Sequence, residues 1–134
     1  MKPGVEDVVP EWCMAEVSAA RMRTMAAILR DPNPLHWDRE AVAALPLGLG
    51  PRTINQGPLG LSYILNMLHA WVGPENVRRI RMTFPQVVLD GECVTARGVI
   101  TALENEIAEC EVWLEESERG RLLVGQAWVD VSSL

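Results

Sequence analysis

Residues 57–72 read GPLGLSYILNMLHAWV, a long apolar run bounded by glycine and proline. Pro58 suits the first turn of an α-helix, and Gly73-Pro74 directly after the run is a typical helix end. Apolar residues occupy nearly every side of the helix that this run would form. We therefore predict a central helix over about 57–72 that is buried in the fold.

The segments on either side of this helix differ in character. Before it, the pattern predicts a loose arm, one strand and two helices, over residues 1–10, 11–17, 19–30 and 39–43. After it, alternation and turn signals predict four strands, over residues 78–89 with a break at Pro85, and over residues 92–103, 106–116 and 121–131.

One apolar helix followed by four antiparallel strands has an economical packing, in which the strands curl around the helix and the first strand joins the same sheet. The predicted fold class is therefore α+β, a single hot-dog domain over residues 1–134 with a segment at 31–44 overhanging the helix. Because such a sheet leaves an edge strand exposed, we expect a dimer with the site near the subunit boundary.

The composition excludes several classes of protein. A formal net charge of −6 argues against nucleic-acid binding, which depends on an excess of Lys and Arg. No apolar run is long enough to span a membrane, and the N-terminus lacks the pattern of a signal peptide, so we expect a cytoplasmic protein. With 134 residues, the chain should fold without disulfides or a structural metal.

The three cysteines, Cys13, Cys93 and Cys110, are widely scattered. None belongs to a C-x-x-C pair, and neither histidine has a ligand-like spacing to them. We therefore expect all three to be small buried apolar residues and predict no metal site.

Three arginines, Arg78, Arg79 and Arg81, crowd one short segment of this acidic chain. They are consistent with a solvated strand edge, where charge is common, and equally with a site for a phosphate-bearing ligand. Composition leaves both interpretations open.

The stretch Asp31-Pro32-Asn33-Pro34-Leu35-His36-Trp37-Asp38 concentrates polar chemistry in eight residues. Its two prolines fix their own φ and push Asp31 and Asn33 toward extended conformations, so we predict a stiff loop. Such a loop can present Asp31 and His36 to one point as a general acid–base pair. The alternative is a turn in which Asp31 and Asn33 cap local backbone and His36 lies at the surface.

This loop, together with Ala41 and with Gly57 at the start of the central helix, resembles the MaoC-like family of (R)-specific enoyl-CoA hydratases, in which a D-x-N-P-x-H-x-D loop overhangs a hot-dog helix. The resemblance implies that Asp31 and His36 form the catalytic dyad and that the Gly57 N–H points at the thioester carbonyl. It also implies that Asn33 braces the loop. One departure is Gln56-Gly57, where the family usually has His-Gly.

The implied reaction adds water to a trans-2-enoyl-CoA thioester to give a (3R)-3-hydroxyacyl-CoA, or runs in reverse. The coenzyme A thioester is the substrate, and no further cofactor or metal is expected. The candidate substrate-binding residues are Asn33, Trp37 beside the acyl chain, Ser62 near the dyad, and Arg78, Arg79 and Arg81 at the coenzyme A phosphates.

Two other functions remain open on the sequence. Hot-dog proteins also include acyl-CoA thioesterases, in which a carboxylate promotes attack on the thioester carbonyl. The chain could also be a subunit of a heteromeric hydratase, so the expected homodimer has a heteromer with a related hot-dog subunit as its alternative.

Overall fold

The computed structural model describes residues 2–134, which form five strands and three α-helices. The strands are β1 (Val8–Met14), β2 (Val77–Thr83), β3 (Val94–Glu104), β4 (Ile107–Glu116) and β5 (Gly120–Asp130). The α-helices are α1 (Ala19–Leu29), α2 (Arg39–Ala43) and α3 (Gly57–Val72), and short 3-10 helices span Pro34–His36 and Pro74–Asn76. The strands form one antiparallel sheet in the order β1-β3-β4-β5-β2, which confirms the predicted α+β hot-dog fold.

The α3 helix packs against one face of this sheet and supplies the centre of the core. Its Tyr63, Ile64 and Leu68 are fully buried. Along β4 the even-numbered residues from Ala108 to Leu114 are buried and their odd-numbered neighbours are partly exposed, because successive side chains of a strand point to opposite faces. The prediction of a buried central helix is therefore confirmed, with the bounds that its proline and glycine signals gave.

The first strand begins earlier than its sequence pattern predicts. Val8 and Val9 pair with Val99 and Gly98 of β3, so the prediction that residues 1–10 form a loose arm is wrong. The register shifts between Val9 and Trp12, across Pro10. Since β1 is an edge strand, the missing N–H of a proline can be tolerated there.

The strand predicted over residues 78–89 ends at Thr83. The chain bends after Phe84, and Leu89 then forms an isolated antiparallel bridge with Ile54. Residues 88–90 thus pair with residues 53–55, which lie directly before α3. This pairing brings the turn at Asp90 next to the start of the central helix.

The expectation that all three cysteines are buried is wrong. Only Cys110 is buried, among the inward-facing residues of β4, where burial raises the pKa of its thiol to about 12. Cys13 and Cys93 are exposed, and their sulfur atoms lie 3.7 Å apart.

Among residues 2–134, no helix combines the length and the apolar character that crossing a membrane would require. Both edges of the sheet, β1 and β2, lack a further strand partner within this part of the chain.

Candidate active site

The loop between α1 and α2 is held by its own hydrogen bonds. Arg30 is the C-cap residue of α1, and its φ of 52° is left-handed. The Asp31 N–H donates to the Ala26 carbonyl at 2.9 Å. Asp31 Oδ1 accepts from the Asn33 N–H at 3.2 Å, and Asn33 Oδ1 accepts from the Leu35 N–H at 3.1 Å. These short-range bonds add local constraints to those that the two prolines impose.

Asp31 and His36 face one another across this loop. His36 Nε2 lies 3.3 Å from Asp31 Oδ2. The imidazole is 14% exposed and the carboxylate 40% exposed, so one partner is sheltered and the other meets solvent. The turn alternative holds in part, since Asp31 and Asn33 both cap local backbone, but His36 is not a surface residue.

The other ring nitrogen of His36 has a backbone partner. Its Nδ1 lies 2.7 Å from the Ile54 carbonyl oxygen, which can only accept a hydrogen bond. Nδ1 therefore carries a proton, and in the neutral ring Nε2 presents its lone pair toward Asp31. Two acceptors then face each other, and a shared proton or a water molecule that donates to them satisfies both.

The segment that carries Ile54 is clamped by Asp90. One Asp90 oxygen accepts from both the N–H and the hydroxyl of Thr53, each at 2.6 Å, and Arg39 donates to the same carboxylate at 3.2 and 3.3 Å. Burial alone would raise the pKa of Asp90, which is 5% exposed, but the hydrogen bonds from Thr53 and the charge of Arg39 outweigh it and lower that pKa. Sequence reasoning missed this residue, because Asp90-Gly91 signals only a turn.

The start of α3 lies three residues beyond Ile54. Gly57 is the first residue of the helix, and no side chain caps it. No group in residues 2–134 accepts a hydrogen bond from the Gly57 N–H. Gly57 borders a cavity of about 140 Å³ together with Ile54, Gly60 and the exposed ring of Phe84. A free N–H at a helix N-terminus is suited to bind developing negative charge.

Two buried amides precede this helix. Gln56, which is 2% exposed, donates from Nε2 to the Met22 carbonyl at 2.8 Å and so ties the start of α3 to α1. Gln56 Oε1 and both polar atoms of the Asn55 side chain have no hydrogen-bond partner within the described chain. Asn55 and Gln56 both line the cavity beside Gly57, which gives this apolar space a polar wall.

The model of the MaoC like domain family matches residues 9–117. The chain belongs to this family. The match covers β1, the loop with the dyad, α3 and most of the sheet, so the family predicted from the 31–38 loop is confirmed. None of the curated proteins matches the chain.

Several solved structures share the fold of this MaoC-like domain. The (R)-hydratase from A. caviae involved in PHA biosynthesis is 24% identical, with a TM-score of 0.83 over 96% of this chain and 97% of that one. R-hydratase PhaJ1 from Pseudomonas aeruginosa is 14% identical, with a TM-score of 0.83 over 96% and 82% of the two chains. The ChsH1–ChsH2 complex from Mycobacterium tuberculosis is 17% identical, with a TM-score of 0.80 over 96% and 98%. At these identities the likeness shows the fold alone.

Two predicted substrate-binding residues of the MaoC-like domain lie apart from the cavity beside Gly57. The half-buried Ser62 donates its hydroxyl to the Leu59 carbonyl within α3. Trp37 is 45% exposed, and its indole N–H donates to the Pro32 carbonyl at 3.0 Å. Trp37 borders a groove of about 330 Å³ that Asp31 and the end of α1 also line.

The three arginines lie exposed on the edge strand β2. Arg78 forms an ion pair with Asp130 at 2.8 Å, and the Arg79 guanidinium lies 5.0 Å from the centre of the Trp128 ring. Arg81 has no ion-pair partner within residues 2–134 and borders a groove of about 680 Å³ with Glu111. The strand-edge and phosphate interpretations thus stay open, but Arg81 alone of the three has neither an acidic nor an aromatic partner.

Proposed function

We propose that this protein is a hydro-lyase that adds water to a trans-2-enoyl-CoA thioester and yields a (3R)-3-hydroxyacyl-CoA, or catalyses the reverse dehydration. The observation that carries the proposal is the 3.3 Å approach of His36 Nε2 to Asp31 Oδ2, with the other imidazole nitrogen anchored on Ile54. Membership of the MaoC-like family and two structural relatives that are named (R)-hydratases support it.

The dyad binds one water molecule, which lies beside the 3.3 Å contact and donates to both acceptors. One dyad group removes a proton from this water as its oxygen attacks C3 of the enoyl thioester. The dyad then delivers this same proton to C2, either directly or after transfer between the two groups across their 3.3 Å contact, so both groups end in their starting states. The pair shares its titration, so the proposal does not divide the acid and base roles between Asp31 and His36. A positioned acid or base contributes about 10²–10⁴-fold to such a step.

The thioester oxygen gains negative charge during the attack. Gly57, whose N–H is free and lies at the positive end of the α3 dipole, lines the cavity, and so does Ile54, whose carbonyl anchors His36. We place the thioester carbonyl there, with the acyl chain running past Gly60 and Phe84. Loss of one donor of this kind costs about 10²–10³-fold.

The coenzyme A carrier is proposed to lie along β2, with its phosphates near Arg81. In this proposal Asn33 braces the dyad loop, whereas Trp37 and Ser62, which lie apart from the cavity, have no assigned contact with the acyl chain. Arg78 and Arg79 already have partners in Asp130 and Trp128, so they contribute mainly to the local positive potential.

A homodimer is proposed as the assembly, because β2 presents an edge that lacks a strand partner in residues 2–134. A heteromer with a second hot-dog subunit is the alternative. One of the structural relatives is a complex of two named components, ChsH1 and ChsH2.

A panel of trans-2-enoyl-CoA esters of increasing acyl size tests the function. We expect loss of the conjugated thioester without release of free thiol, and a product of (3R) configuration. Release of coenzyme A, detected with a thiol-trapping reagent, would indicate a thioesterase instead. His36→Ala should lose this activity. Its matched control is His69→Ala, which removes the second histidine of the chain, an exposed residue of α3.

A further inference from the structure

We propose that Cys13 and Cys93 form a thiol pair that closes to an intramolecular disulfide by exchange with a low-molecular-weight disulfide. This modification site is independent of the proposed hydratase activity. Free cysteines are among the most buried residues of folded proteins, so two exposed thiols in contact are unusual.

The sheet holds the two sulfur atoms in contact with each other. Cys13 of β1 pairs with Thr95 of β3. Cys93 lies two residues before Thr95, so both thiols lie on one face of the sheet in a diagonal pair. The sulfur atoms are 3.7 Å apart, and a disulfide of about 2.05 Å requires them to approach by less than about 2 Å.

The backbone on either side of the pair is anchored, which keeps the thiols together. Directly before Cys93 in the chain, the Glu92 carbonyl accepts from the Val17 N–H and the Gly91 N–H donates to the Val17 carbonyl, both at 2.8 Å. The Glu92 side chain is held in turn by Arg119 at 2.7 and 2.8 Å. The thiol pair thus lies between the β1–β3 ladder and a second set of cross-chain bonds.

The exchange is balanced in two steps. The Cys13 thiol loses its proton, and the thiolate attacks one sulfur of a disulfide RSSR, which forms a mixed disulfide and releases RS⁻. Cys93 then loses its proton and attacks the Cys13 sulfur, which closes the Cys13–Cys93 bond and releases the second RS⁻. The two thiolates take up the two protons, so RSSR is reduced to two RSH as the protein pair is oxidised.

Cys13 is assigned the first attack because the surroundings of Cys93 disfavour the thiolate form of Cys93. The hydrogen bond with Cys13, partial desolvation, and the negative charges of Cys13 and Glu116 raise the pKa of Cys93. The exchange is therefore expected to accelerate as the pH rises above neutrality.

The disulfide would enclose the whole candidate site. Asp31, His36, Gly57 and Arg81 all lie between positions 13 and 93 of the chain. Closing a loop of this size restricts the unfolded chain far more than the folded one, so the oxidised protein is expected to melt at a temperature roughly 5–15 °C higher.

The test treats the reduced wild-type protein with oxidised glutathione, followed by intact-mass measurement, peptide mapping and thermal unfolding. We expect the mass to fall by two hydrogen atoms, a Cys13–Cys93 peptide link, an unmodified Cys110, and a higher Tm that dithiothreitol reverses. Cys110→Ser should behave as wild type. Cys13→Ser and Cys93→Ser should each keep one stable glutathione adduct and show no rise in Tm.

Three results would overturn the proposal. They are no reaction, a mixed disulfide that persists on the wild-type protein, and a cross-link between two chains.

Discussion

The Ile54 carbonyl oxygen lies 2.7 Å from His36 Nδ1, and this one contact couples the dyad loop to the segment that starts the central helix. The Ile54 N–H also donates to the Leu35 carbonyl at 2.7 Å, so the two segments are tied in both directions. Because the acceptor is a backbone carbonyl, the protonated nitrogen of His36 is set by the fold. The imidazole and the Gly57 N–H are consequently positioned by one stretch of four residues.

Asp90→Asn should change the position of the His36 ring indirectly, because Asp90 holds Thr53 and the neighbouring Ile54 carbonyl contacts His36. The carboxylate clamps Thr53, and replacing it with an amide leaves donors of Thr53 or Arg39 without an acceptor, at a cost of about 1–3 kcal/mol in the free energy of unfolding. We expect the Ile54 carbonyl to shift and the ¹⁵N chemical shifts of the His36 ring to change. With only two histidines in the chain, the spectrum can be assigned by His69→Ala.

The matched control for this variant is Asp130→Asn, which removes the ion-pair partner of Arg78 at the far sheet edge. It should leave the His36 signals unchanged. Unaltered His36 shifts in Asp90→Asn would show that the clamp does not position the imidazole.

Acid stability should also depend on Asp90. Its pKa in the folded protein is below the usual 3.8: burial alone would raise it, but the hydrogen bonds from Thr53 and the charge of Arg39 outweigh burial. As pH falls, the unfolded chain therefore takes up this proton first, and the stabilisation by Asp90 is lost as pH passes down through the folded pKa. The difference in unfolding free energy between wild type and Asp90→Asn should be constant above about pH 5 and shrink below about pH 4. Urea unfolding across this range measures it, and a difference that grows toward acid would contradict the prediction.

The oxyanion role of Gly57 can be separated from the space that it leaves. A Cβ at position 57 would meet the Phe84 ring at 3.5 Å, an ordinary contact, so Gly57→Ala keeps the N–H and should retain activity within a few-fold. Gly57→Pro removes the N–H at a helix position that tolerates proline, and Gln56 already has the extended ψ of 144° that precedes one. We expect kcat to fall about 10²–10³-fold for the proline variant alone. Equal kcat values for the two variants would remove Gly57 from the mechanism.

Arg81 is expected to contribute to binding of the carrier. Arg81→Gln should raise KM several-fold for coenzyme A esters and leave it unchanged for esters of pantetheine, which lacks the nucleotide. Arg78→Gln is the control, because Arg78 is already paired with Asp130. Steady-state kinetics at two salt concentrations measure both effects, since an ionic contact weakens as salt is added. A parallel rise in KM for both carriers would show that Arg81 does not bind the phosphates.

Proline and glycine signals in the sequence correctly predict where the central helix begins and ends and where helix is interrupted. The bounds of α3 follow from Pro58 and Gly73, and the interruption of helix between α1 and α2 follows from the two prolines of the dyad loop. The sequence pattern does not predict the start of β1, because a proline such as Pro10 usually marks the end of a strand. In an edge strand the missing N–H of a proline needs no partner, so β1 extends past Pro10 to Val8.

Long-range contacts account for what the sequence could not predict. Thr53 and Asp90 are 37 residues apart, and no periodicity connects them. The contact between Cys13 and Cys93 likewise depends on the β1–β3 register. Scattered cysteines are usually buried, but β1 lies at the sheet edge and its alternation is imperfect, so its exposed face could not be identified.

The most direct test of the dyad is a comparison of kcat/KM for Asp31→Asn, His36→Ala and the double variant, on the best enoyl-CoA substrate and with circular dichroism to confirm folding. We expect a loss of about 100-fold or more for each single variant. We also expect the double variant to be little worse than the poorer single one, because both groups act on one water. Near-wild-type activity in both single variants would contradict the assignment of the dyad.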